Sequence, residues 1–476
     1  MKKTILVLGL LVIAAMVLAA CQPAAPTPET VVETVIETVV VEKEGETIIE
    51  TVVVEKEVEV PVEAEMPDEP MPDTLVACIG QQPETLYIYG GSMLASTQVF
   101  EAIYDGPNGG IDQNTFSYEP VIFEKLPSLA DGDAALVSVT AAEGDKVVDD
   151  AGEVIVLDAA ADPPQMIRPA GCASAECAVA YEGGEVEMDQ LSATFVIFEG
   201  MLWSDGTPLT SSDSVYSFNL QADPDTPTGK YVIERTASYE ALDDVTIVWT
   251  GLPGYKDATY FVNYYLPAPE HVWGQYTAAE LVEVVDAEGL YVGYGPYILD
   301  EWVKGDHISL HKNPNYFRAD EGLPKFETLI YRMVGENSNA NIAAILSGEC
   351  DIVDQTSHLD DQSELLLELQ AAGQVNPTFV TGTVWEHADF NITPLEGAGF
   401  AGWDTDGDGQ GPFGDLRLRQ AVAMCMDRQA VVDTVMFGQS VVLDTYIPPD
   451  HPLFATDVTN WPFDVEAASA LLDEIG

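Results

Sequence analysis

Apolar and polar positions alternate along this chain in three registers. Lys2 and Lys3 precede an unbroken apolar run from Ile5 to Ala20. That run is too short, and too closely followed by polar sequence, for a membrane span, and it reads as an export signal. Residues 22–73 then alternate Val with Glu at low complexity, and Glu37–Glu44 recurs as Glu50–Glu57 thirteen residues later. Beyond them the pattern turns globular. Thr74–Ile79 predicts a short apolar strand, and Leu94–Ala102 predicts a helix. Between about 135 and 190 the chain reads as hairpins: Lys146–Val148 with Glu153–Leu157, and Cys177–Tyr181 with Glu185–Met188 about Gly183 and Gly184. Further helices are predicted over 211–221, 339–347, 361–371, 415–437 and 464–475. With no regular βαβ period, the mixture predicts α/β domains whose chain crosses between lobes more than once.

The apolar run ends in Leu18-Ala19-Ala20-Cys21, which resembles the lipobox of bacterial lipoproteins. Small residues at 19 and 20 suit cleavage before Cys21, which would then be acylated; several acyl chains on one Cys hold a protein stably on a membrane. An ordinary secretory signal that happens to abut a Cys is the alternative. Either way 456 residues remain, enough for two or three domains. The repeat of thirteen fits a heptad poorly, so residues 21–73 read as an acidic, extended tether rather than a coiled coil.

Charge narrows the partners. Eighteen Lys and Arg against 80 Asp and Glu give −62. The tether holds 15 acids and 2 Lys, so most of the acidity lies in the folded part. Such a field repels phosphate backbones and excludes nucleic acid as a partner. It suits a salty environment, and it also suits a cationic ligand. Beyond Cys21 there are five cysteines. Cys172 and Cys177 lie in a small-residue loop short enough to close on itself in an oxidising compartment, and no nearby His supports zinc. Cys425 is left over, and its helical setting predicts burial.

Five stretches carry a more specific signal. Met201–Gln221 contains Trp203-Ser204-Asp205-Gly206, a tight turn followed by Thr210 as a helix cap with Asp213 in the first turn. The others are Leu266-Pro267-Ala268-Pro269-Glu270-His271, then Gly293-Tyr294-Gly295-Pro296-Tyr297 with Trp302 and Asn313–Tyr316, then Ser347-Gly348-Glu349-Cys350-Asp351, and finally Asp415–Ala421 with Asp427-Arg428. Together, and in this order, they resemble the peptide/nickel (family 5) solute-binding proteins of ABC importers. The resemblance implies an α/β, periplasmic-binding-protein-like fold of three domains closing as a Venus flytrap (cluster C type). Domain I would comprise 74–115 plus 266–383, domain II 116–265 with extra hairpins, and domain III 384–476. The chain stops at Gly476, where members of that family continue much further, so the resemblance implies an incomplete third domain. It also implies that Cys78 and Cys350 lie close enough for a disulfide, one closing a long loop.

By the same resemblance the chain would be a non-enzymatic, monomeric protein outside the cell membrane that delivers a peptide-like solute to the importer's permease subunits. Oligosaccharides and nickel chelates also occur as ligands in that family. Trp385, Glu386 and His387 would face the ligand at the crossing into domain III, with Trp385 alternatively serving as hinge packing. Tyr231, and the Gly91 and Ser92 backbone, are further candidates, because Gly permits close approach. His271, His307, His311 and His358 read as ordinary satisfied residues. Separately, Asp404, Asp406, Asp408, Gln410 and Asp415 stand at positions 1, 3, 5, 7 and 12 of an EF-hand-like loop with Gly409 at 6. This is either a structural Ca²⁺ loop or an acidic turn, and no cofactor is otherwise required. No nucleophile elbow, zinc motif or phosphate loop is found. A carboxylate-pair hydrolase carries no such signature, and a stalked structural lipoprotein would share the tether, so both remain competing classes.

Overall fold

The computed structural model describes residues 29–43, 46–60, 73–106, 111–114, 116–380, 382, 385–392 and 411–475. Residues 1–71 and 72–476 form two separate units. In the first, Glu29–Lys43 pairs antiparallel with Glu46–Val60, where the sequence reading assigned only an extended tether. The register explains why so acidic a segment can pair. Both lysines stand opposite a glutamate, Lys56 across from Glu33 and Lys43 across from Glu46, and no glutamate stands directly opposite another. Opposite charges on facing positions favour a ladder that like charges would oppose.

The second unit is organised by two sheets. Thr74–Ile79 forms the strand expected of it and lies inside a five-stranded sheet, parallel to both Thr328–Met333 and Ile352–Val353. Tyr297–Val303 and His307–Lys312 extend the sheet antiparallel on the far side. The second sheet has four antiparallel strands in the order Thr236–Ala241, Thr246–Gly251, Val186–Val196, Ala134–Ala141. Eight helices of seven residues or more are described: α1 (Leu94–Tyr104), α2 (Ser211–Ala222), α3 (Ala278–Glu288), α4 (Ser338–Ser347), α5 (Ser363–Ala371), α6 (Leu416–Cys425), α7 (Arg428–Thr434) and α8 (Val465–Ile475). One continuous core joins both sheets through α1, running from Ile79, Val99 and Ile103 to Phe195 and Trp249 and on to Ile308 and Leu310. The helices after residue 411 share only a small cluster of Ala421, Met424 and Ala468.

Three local expectations change. The hairpin about Gly183 and Gly184 does not form, although both glycines take positive φ as such a turn requires. Val179-Ala180 pairs instead with Met166-Ile167, and Val186–Val196 is captured by the longer strand Ala134–Ala141. Residues 415–437 are two helices rather than one. Asp427 interrupts them because its side chain accepts the Ala430 N–H and so caps α7. Cys425, expected to be buried, ends α6 exposed to solvent.

Cys78 and Cys350 are bonded, with Cα atoms 5.8 Å apart and a sequence separation of 272. Both are buried, and Asp351 holds the same strand from the next position, exchanging bonds with the Val76 backbone through its amide and its carboxylate. Cys172 and Cys177 are bonded as well. Closing a loop of 272 residues is worth about 5–6 kcal/mol in the chain-entropy account. Converting Cys78 and Cys350 together to Ala is expected to cost about 2–5 kcal/mol in denaturant unfolding, with residues 172–177 unaffected. A non-reducing peptide map showing both thiols free in the native protein would overturn the pairing.

Candidate functional site

Three of the five sequence signatures converge on the last turn of α1. Trp203 is fully buried, and the turn behind it closes with Gly206 at φ +87 and its N–H on the Trp203 carbonyl at 2.9 Å. Asp205 in that turn receives His271 Nε2 at 2.8 Å, and the His271 ring lies 5.9 Å from that of Trp203. Partial burial raises the Asp205 carboxyl, but the Thr207 amide and His271 outweigh it and hold the group below its ordinary range. Thr210 and Asp213 form a capping box at the start of α2, with the Thr210 N–H donated to Asp213 at 2.9 Å. Burial nevertheless pushes the Asp213 carboxyl up.

Residues 293–297 lie directly against α1. The Gly295 N–H donates to the Ile103 carbonyl at 2.7 Å, and the Ser204 N–H donates to the Gly293 carbonyl at 2.8 Å. A Cβ on Gly293 would sit 2.0 Å from the Ile103 oxygen, and one on Gly295 2.6 Å from the Ile103 carbonyl carbon. Only glycine allows two backbones this close. Asn313 donates to the Gly295 carbonyl at 2.8 Å, Asn315 to the Ser204 carbonyl at 3.0 Å, and Tyr316 to Asp105 just after α1. These residues are a joint between the two sheets, held largely by main-chain hydrogen bonds.

The candidate ligand residues lie elsewhere. Trp385 is 40 % exposed, its ring 4.1 Å from that of His387 and 6.3 Å from that of Tyr446, which is 69 % exposed. His387 Nε2 lies 3.4 Å from Asp389, and Glu386 is exposed to solvent. Tyr446 was not anticipated; it stands 61 positions from Trp385, and no periodicity links them. The loop 443–461 that carries it is held by Arg428, which donates to the carbonyls of Leu443 at 2.9 Å and Trp461 at 2.8 Å and pairs with Asp444 at 3.3 Å.

The other candidates do not join this group. Tyr231 is exposed and lies under the Arg235 guanidinium, 3.7 Å from its ring centre. Gly91 and Ser92 lie against Glu84, which accepts the Ser92 and Met93 amides at 2.8 and 3.1 Å, and a Cβ on Gly91 would meet that carboxylate. The amides expected to reach a ligand are therefore spent on Glu84. Asp404, Asp406, Asp408 and Gln410 lie outside the described residues, as does Cys21. Asp415 is described, and it caps α6 through the Arg417 N–H at 2.8 Å while pairing with the Arg417 guanidinium at 2.6 Å. His271, His307, His311 and His358 each face a carboxylate, and the Asp306 bond raises His307 above its usual range. An open cavity of about 510 Å³ lies against α2, lined by Ser212, Tyr216, Tyr239, Glu240 and Glu270, and it holds none of the predicted residues. No described helix is long and apolar enough to cross a membrane.

Comparison with known proteins gives one consistent result. Residues 175–476 match the family model for bacterial extracellular solute-binding proteins, family 5 Middle. Protein XP55 of Streptomyces lividans is 29 % identical over 294 residues, covering 61 % of this chain and 48 % of its own length. The oligopeptide-binding protein AppA of Bacillus subtilis is 26 % identical over 59 % of this chain and 48 % of itself. The glutathione-binding protein GsiB of Escherichia coli is 25 % identical over 63 % and 52 %. The chain thus spans about half the length of the curated relatives it matches. Among solved structures, the oligopeptide-binding protein of Thermus thermophilus in complex with a pentapeptide superposes with a TM-score of 0.57 at 21 % identity, covering 86 % of this chain and 64 % of that one. AppA of B. subtilis with a nonapeptide gives 0.53 at 18 %, covering 85 % and 64 %. These likenesses show the fold, an α/β solute-binding architecture.

The joint makes a sharp prediction. Gly295→Ala is expected to destabilise the protein by about 3 kcal/mol or more in denaturant unfolding, since backbone rather than a flexible side chain must move. Gly305→Ala, where a Cβ meets nothing within 4 Å, is strained only by its φ of +81 and costs about 1 kcal/mol. Equal costs at the two sites would mean the close approach is not what selects glycine.

Proposed function

The chain belongs to the bacterial extracellular solute-binding proteins of family 5, and from that membership we propose that it captures a peptide-like solute outside the cell membrane and delivers it to the permease of an ABC importer. Proteins of this family are non-enzymatic transport components, and the family is extracytoplasmic. The observation that carries the solute-binding reading is the exposed group of Trp385, His387 and Tyr446. Partly exposed aromatic rings at this spacing offer flat apolar surface on which a solute can pack. AppA and GsiB, by name, bind oligopeptides and glutathione. Peptide-like solutes are accordingly the first class to test.

The finer reading has support of its own. The two sheets fall into residues 74–115 plus 266–383 and residues 116–265, in keeping with a first domain interrupted by a second. Residues 384–476 belong to a third, and the solute enters between the third and the first. Trp385 and Tyr446 stack on the solute, while Glu386 and His387 hydrogen-bond its polar groups. Cys21 carries the lipid anchor, on the support of Leu18–Cys21. The protein works as a monomer, and residues 22–73 space it from the membrane.

Two measurements test this. With the full chain, a tripeptide at 100 times its Kd is expected to raise unfolding free energy by about 2.7 kcal/mol, and mass spectrometry should recover the peptide intact. Trp385→Ala should abolish the stabilisation. Hydrolysis of the peptide, or stabilisation that survives Trp385→Ala, would refute the reading. For the acidic loop, Ca²⁺ binding is expected only in the millimolar range, because Asp415 is already engaged by Arg417. Asp408→Asn should remove it in calorimetry, and a flat titration at millimolar Ca²⁺ leaves an acidic turn.

A further inference from the structure

Aromatic faces on this protein are dressed with the chain's own cations in two places. The Arg235 guanidinium lies 3.7 Å from the Tyr231 ring centre, and Lys304 Nζ lies 4.3 Å from that of Trp302. The chain has only 18 Lys and Arg in all, so these pairings draw on a scarce resource. The group of Trp385, His387 and Tyr446 differs. Among the described residues no Lys or Arg lies over any of its rings, although Trp385 and Tyr446 are 40 % and 69 % exposed. Arg428, which shapes the loop bearing Tyr446, is committed to Asp444 and to the carbonyls of Leu443 and Trp461. Carboxylates accompany these rings: Glu386 is exposed at the position between Trp385 and His387 in the chain, and the Asp389 side chain is 92 % exposed, 3.4 Å from His387.

We infer that the solute is cationic, and that its ammonium or guanidinium seats on the Trp385 and Tyr446 faces beside Glu386 and Asp389. This rests on the reading of that group as the ligand face. A cation over Trp or Tyr is attracted by the ring quadrupole, and the attraction strengthens as the site is desolvated. A net charge of −62 concentrates cations near the surface and disfavours anionic solutes. The two effects separate with salt. The long-range field collapses as the Debye length falls from about 10 Å at 0.1 M to about 3 Å at 1 M, whereas contact between a cation and a ring persists.

The test is calorimetry of the full chain with tri-lysine, tri-alanine and tri-glutamate at 0.1 and 1 M NaCl. Tri-lysine is expected to bind about tenfold or more tighter than tri-alanine, with a preference that survives 1 M salt and with tri-glutamate weakest. Tyr446→Leu should cost tri-lysine about tenfold more than it costs tri-alanine, while Tyr446→Phe keeps the preference because it keeps the ring. Tyr446 is exposed, so neither variant threatens folding. A preference that vanishes at 1 M salt, or that Tyr446→Leu does not touch, would overturn the seat on these rings. Equal binding of all three peptides that still depends on Trp385 would overturn the cationic inference and leave peptide capture standing. No binding of any of them at millimolar concentration would overturn both.

Discussion

The contact on which the rest of the second unit depends is backbone on backbone, where the Gly293–Gly295 segment lies against the Ile103 carbonyl at the end of α1. Through it the five-stranded sheet, the turn at Trp203 and the loop at Asn313–Tyr316 are held at one spacing. Side-chain packing alone would let these parts shift by fractions of an ångström as neighbours changed rotamer. A hydrogen bond between main chains, with no Cβ between them, leaves little such freedom. That explains why several recognisable stretches of the sequence meet at one place in the core. They specify the frame, and the frame tolerates less change than the surface it supports.

This accounts for what was legible in the sequence. The first strand, α1, the turn at Ser204–Gly206 and the capping box at Thr210 and Asp213 were readable because local chemistry decides each of them. Position 295 was readable only through resemblance, since nothing in its neighbourhood announces that Ile103 will arrive. The hairpin at Gly183 and Gly184 failed because local turn preference was right while strand pairing was decided by the distant Ala134–Ala141. The helix break at Asp427 was a cap signal within a run of good helix formers, and the periodicity masked it. Tyr446 could not be found, because its approach to Trp385 depends on the course of a loop that Arg428 holds through main-chain carbonyls.

Charge shapes the interior differently from the surface. With 80 acids and 18 bases, most carboxylates have no cation to pair with. Many turn to main-chain amides instead: Glu84 to Ser92 and Met93, Asp286 to Leu86, Asp351 to Val76, Asp243 to Val245 and Thr246. A carboxylate that accepts amides satisfies groups that would otherwise need water, and it keeps its charge at low cost. Much of the acidity thus becomes loop and cap structure, while the remainder sets the field that a solute meets.

Stability is also distributed unevenly, and that bears on recognition. The joint sits in a core that spans both sheets, whereas the helices that follow residue 411 share three fully buried residues. Trp385 and Tyr446 belong to this thinly packed part, where local opening is cheap. A solute bridging them, as proposed, would tie the loop at 443–461 to the segment at 385–392, and part of its intrinsic affinity would go to ordering these segments. The rigid joint and the thinly packed segments thus divide the chain: the first fixes the two sheets, and the second leaves residues 385–392 and 443–461 free to adjust to a neighbour.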